Sequence, residues 1–111
     1  MTLRTPETEE RYQRAIREKT TIPLLQEPPL MEWKYWRLIK NRFPHDKWYK
    51  EHDLLIPLTN RRSLQEVSLQ ELMELLQILK DLEYNYDSIK LNLPRQQSVK
   101  NSLHFHLGTY K

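Results

Sequence analysis

The strongest chemical signal in this 111-residue sequence is Ser102-Leu103-His104-Phe105-His106-Leu107, where two histidines alternate with apolar residues. On an extended strand, residues two apart share a face and lie about 6 to 7 Å from one another. His104 and His106 would then turn both imidazoles to one side, with Ser102, while Leu103, Phe105 and Leu107 face the other. Such a pair suits three roles. A neutral imidazole can attack a phosphorus or acyl centre while its neighbour supplies a hydrogen bond or proton. Two imidazoles can also begin a metal site, completed by further ligands; His45, His52, Asp46 and Asp53 are the residues available for that. The third role is a solvated strand face that carries histidines without using them.

Composition removes many other chemistries. The only glycine is Gly108, so glycine-rich phosphate loops and dinucleotide fingerprints are absent. The chain has no cysteine, which excludes disulfides, thiolate metal sites and a thiol nucleophile. Eighteen basic residues against 15 acidic give +3, a balance that suits a small anionic ligand and gives no strong nucleic-acid signal. No apolar run approaches membrane-spanning length and no signal-peptide pattern opens the chain, so the expectation is a cytoplasmic protein.

These histidines need elements to hold them. Thr5-Pro6 reads as a cap followed by proline at the first helical position, opening a polar helix to about Lys19. Thr20 to Leu30, with Pro23, Pro28 and Pro29, reads as an extended strap. Residues 1–30 are thus set apart from a domain over 31–111. Four strands are expected there: Trp33 to Ile39, Glu51 to Leu58, Tyr86 to Leu93 and Asn101 to Tyr110. Between the second and third, Ser68 and Glu71 form a capping box, with a possible earlier start at Ser63 and Glu66. Leu69, Leu72, Met73, Leu76 and Leu79 make the apolar stripe of that helix, widened by Leu75, Ile78 and Leu82. The class is α+β, with an antiparallel sheet of about four or five strands and one main amphipathic helix. Trp33, Trp36 and Trp48 read as core or interface before base-stacking groups.

The segment from Trp33 to Leu107, about two-thirds of the chain, resembles the histidine triad (HIT) family. Asn41 to Pro44 resembles the family's turn after its first strand, and His52-Asp53-Leu54-Leu55-Ile56-Pro57 its histidine-led strand. A capped helix, a strand ending at Asn92, Gln97-Ser98-Val99 and the histidine strand follow in family order. The resemblance implies a HIT-like sheet and a nucleotide phosphohydrolase or nucleotidyl transferase acting on a purine nucleotide derivative. It implies that the middle residue of an H-x-H-x-H strand becomes nucleotidylated. Two registers fit: Ser102, His104 and His106, or His104, His106 and Gly108. The first is preferred, because the third member contacts phosphate and glycine has no side chain to do so.

In that register the resemblance makes His104 the nucleophile and His106 a phosphate and leaving-group contact. Ser98, Asn92 and Gln97 belong to the phosphate side of the site, His52 lines the cleft, and Ser102 stands where the family has its orienting histidine. The chain departs from the pattern at Ser102, in a gap from Ser98 to His104 one residue longer than usual, and in the glycine-free loop Asn92 to Gln97. No metal and no cofactor is expected, and a homodimer through the main helix and a neighbouring strand is. The alternative is a HIT-like module that binds nucleotide or protein without turnover.

Overall fold

A computed structural model describes residues 3–97, 99 and 101–111. The N-terminal helix α1 runs Pro6–Arg17, and the Thr5 side chain accepts the Thr8 N–H at its start. Five strands follow, β1 Pro29–Glu32, β2 Trp36–Lys40, β3 Tyr49–Pro57, β4 Ser88–Leu91 and β5 Phe105–Tyr110, with helix α2, Leu69–Leu82, between β3 and β4. The sheet order is β1-β2-β3-β5-β4 and every neighbouring pair is antiparallel. The α+β class with a five-stranded antiparallel sheet is therefore the observed one.

Apart from shifts of one or two residues at the ends of α1, β3 and β4, three boundaries differ from the expected ones. The strap yields a strand, because Pro29–Glu32 pairs along the outer side of β2, where a proline lacking its N–H is tolerated at an edge. The aromatic run at Trp33 to Tyr35 is the β1–β2 turn instead of a strand start, with Trp33 N–H donating to the Trp36 carbonyl at 2.8 Å. Regular pairing of the last strand begins at Phe105 and not at Asn101, since Asn101 adopts φ 61°, a left-handed conformation that asparagine enters more readily than most residues. The alternation across Leu103 to Leu107 survives this shift.

Both faces of the central strands are covered. On one, Leu75, Ile78 and Leu82 of α2 pack with Trp36, Leu38, Leu55, Leu103, Phe105 and Leu107. On the other, Ile39, Leu54 and Ile56 form a second apolar cluster with Leu24 of the strap. Double cover explains why Leu54-Leu55-Ile56 is buried without alternation. The α2 stripe is rotated from the expected one: Leu69, Met73 and Leu76 are exposed, while Leu75, Ile78 and Leu82 carry the core. The Ser68–Glu71 capping box forms as expected. Buried Glu71 also pairs with Arg61 at 2.7 Å, and its carbonyl accepts the Trp36 indole N–H at 2.8 Å. That locks the start of α2 to the sheet. Ser63 to Glu66 forms only a single 3₁₀ turn ahead of it.

Candidate active site

All four histidines of the chain meet on the sheet face opposite α2. The register places Leu54 beside His106 and His52 beside Gly108, so His52 and His106 lie diagonally across the β3–β5 ladder. Diagonal neighbours are within reach of long side chains, and His52 Nε2 lies 2.8 Å from His106 Nδ1. His45, in the turn before β3, completes the group. Its ring is 4.7 Å from that of His52 and stacks on that of His106 at 5.4 Å.

Backbone groups decide where the protons sit. The His45 backbone N–H donates to His52 Nδ1 at 2.9 Å, so that nitrogen carries the lone pair and Nε2 the hydrogen. His52 Nε2–H then donates to His106 Nδ1, which leaves the hydrogen of neutral His106 on Nε2. That nitrogen is buried and has no partner among the described residues. His104 is set the other way round: its Nδ1–H donates to the Ser102 carbonyl at 2.9 Å, which leaves the lone pair on Nε2. Neighbouring imidazoles on one strand therefore have opposite polarity, one a donor at Nε2 and the other a base or nucleophile there.

The surroundings keep all four rings neutral. Burial, reinforced by Arg4 and Lys90, pushes His45 down to about 4. Burial is again the leading cause for His52 and His106, each further disfavoured as a cation by the neighbouring histidines. His104 is lowered by burial against the opposing pull of the Ser102 carbonyl.

His104 and His106 wall a cleft of about 300 Å³ whose opposite side comes from α1 and the strap, including Tyr12, Ile22 and Leu24. That segment is tied down at its start. Asp46 accepts the Thr5 N–H at 2.8 Å and both the Thr5 and Thr8 hydroxyls, and Arg4 Nε–H donates to the Phe43 carbonyl at 2.8 Å. At the far end of the histidine row, the Tyr49 ring lies on Gly108 so closely that any Cβ there would collide with it. Position 108 therefore has room for glycine alone.

The remaining expected residues separate. Ser102 contributes its carbonyl to His104, while its side of the chain lines a groove with Pro23, Pro57 and Asn60. Asn92 lines a different groove, with Ser63, Leu64 and Leu103. Gln97 is buried and donates to the Arg62 carbonyl at 2.8 Å, bracing a loop outside the cleft. Ser98 lies outside the described residues. Trp36 is core, Trp33 packs against it and Trp48 is exposed, so none of the three lines the cleft.

Arg4 was not singled out from sequence, and His45 was named only as a possible metal ligand, with no part in the nucleotide site. His45 had a faint signal, a histidine seven residues before His52 across a turn, which returns it to the same end of the sheet. Its donor nitrogen and those of His52 and His106 lie within 4.8 Å of one another, close enough to gather around a metal ion. His104 stands outside that trio. No family model and no curated protein matches this chain.

Proposed function

We propose that this protein is a nucleotide phosphohydrolase or nucleotidyl transferase of HIT-like type, working on a purine nucleotide derivative through a nucleotidyl-His104 intermediate. The observation that carries the reading is the opposed pair of imidazoles. His104 offers a lone pair at Nε2, and His106 beside it offers an N–H that has no partner among the described residues, at the wall of the same cleft.

In the first step, His104 Nε2 attacks the α-phosphorus and the bond to the leaving group breaks. The leaving group departs with the bonding electrons and takes a proton from water. His106 Nε2–H donates to a phosphoryl oxygen, where charge develops in the transition state. Water or an acceptor hydroxyl then attacks the same phosphorus, gives up a proton, and releases the nucleotide from His104. Ser102 in place of a histidine is compatible with this chemistry, since the group that orients His104 is a carbonyl, which every residue has. The fit of glycine alone at position 108 supports the register with His104 in the middle. A homodimer through α2 and β4 belongs to the same reading, and the exposed Leu69, Met73 and Leu76 supply an apolar surface for it.

One observation favours the non-catalytic alternative: His104 and His106 are only 2% and 3% exposed beneath the N-terminal segment. Intact-mass spectrometry after incubation with an adenosine phosphoramidate and, separately, a diadenosine polyphosphate separates the two readings. An adenylate-sized gain or AMP release, lost in His104→Ala, is the expected result. Nucleotide binding with neither adduct nor AMP would instead identify a binding module.

A further inference from the structure

We propose that His45, His52 and His106 form a binding site for one zinc ion, distinct in its ligands from the His104 nucleophile. Their three donor nitrogens, from two strands and the turn before β3, already lie within 4.8 Å of one another. Two of these nitrogens, His52 Nε2 and His106 Nδ1, already face each other at 2.8 Å; His106 would bind through Nδ1 and keep its hydrogen on Nε2. Three imidazoles without thiolate or carboxylate suit a borderline ion such as zinc, which commonly takes three protein ligands and leaves a fourth position open.

The competing carboxylates are spoken for. Asp46 is engaged by Thr5 and Thr8, and Asp53 accepts from the Tyr86 hydroxyl at 2.5 Å, while His104 is not one of the histidines whose donor nitrogens converge. The fourth position is accordingly left to water or to an oxygen of a ligand in the cleft.

Coordination requires a defined rearrangement. Zinc–nitrogen bonds of about 2.0 to 2.1 Å in a tetrahedron imply donor separations of about 3.4 Å. The trio must therefore contract, and the 2.8 Å hydrogen bond between His52 and His106 must open. If His52 binds through Nε2, its proton moves to Nδ1, where the His45 N–H now points. The turn carrying His45 then has to shift. Because that turn also carries the third ligand, one movement both relieves the clash of hydrogens and closes the coordination set.

The test uses the full chain stripped of metal and titrated with zinc alone, read by calorimetry and by elemental analysis after dialysis. One ion per chain at micromolar affinity or tighter is expected. His45→Gln should weaken it by roughly 10- to 100-fold, with circular dichroism checking that the variant folds, and His104→Ala should bind as wild type does. Should His45→Gln unfold, imidazole NMR of the wild type decides: zinc must move the His45, His52 and His106 resonances more than those of His104. Absence of stoichiometric zinc, binding unchanged in folded His45→Gln, or resonance shifts centred on His104 would each overturn the site. No nucleotide enters the measurement, so its failure leaves the nucleotidyl-transfer reading standing, and failure of that reading leaves this one.

Discussion

The Ser102 backbone carbonyl sets the polarity of His104 at Nδ1. Ser102→Ala should therefore keep adduct formation within about threefold of wild type, since it removes no bond to the imidazole; a loss as large as that of His104→Ala would mean the hydroxyl is essential. Gly108 makes the opposite case. Gly108→Ala drives a methyl group into the Tyr49 ring and should cost about 1 to 3 kcal/mol, measured as a lowered denaturant midpoint. At this scale the sequence was partly legible. The H-x-H spacing announces two imidazoles on one face, because strand period is local geometry. The meeting of His45 with His52 and His106 depends on how a turn folds back over the sheet, and no local pattern encodes that. Asn92 and Gln97 likewise stand near the histidines in sequence order yet serve other surfaces.

Elements were easier to read than their partners. The α2 cap is written in Ser68-Leu69-Gln70-Glu71, and Ser68→Ala should lower stability by about 1 kcal/mol, checked by urea unfolding. Which face of α2 turns inward was less legible, because leucine occupies positions on both sides of the helix. Packing selects the 75/78/82 side, leaving Met73 63% exposed. The strand formed by Pro29–Glu32 was hidden by Pro28 before it and Pro29 at its start, since proline discourages a strand inside a sheet but not along an edge. The N-terminal segment is legible as a strap, while its seat is not. Asp46 provides that seat, so Asp46→Ala should speed proteolytic clipping within residues 5–27 several-fold while the sheet stays folded. Unchanged cleavage would show that Tyr12 and Leu24 hold the segment without it.

Across the whole molecule, four neutral imidazoles packed together, three of them buried and His45 half-buried, make the metal-free fold sensitive to acid. Their folded values lie below the ordinary histidine value near 6.5, so between the two the unfolded chain binds more protons. Stability from this source is complete above about pH 6.5 and drains away as pH falls toward 4. Each histidine that protonates only on unfolding raises the unfolding constant roughly tenfold per pH unit. Melting temperatures between pH 7.5 and 5 should therefore drop steeply, ahead of any carboxylate titration; a flat profile would contradict the burial of the cluster. The order of the sheet has a further consequence, one of manufacture. During synthesis β1, β2 and β3 can pair as each appears, but β4 must wait, because its partner is β5, which is made after it. That same strand brings His106, with His104 immediately before it. A chain interrupted after β4 would thus be an open sheet with an unclaimed edge and without His104 and His106, so the sheet and the histidine cluster should be completed together, with β5.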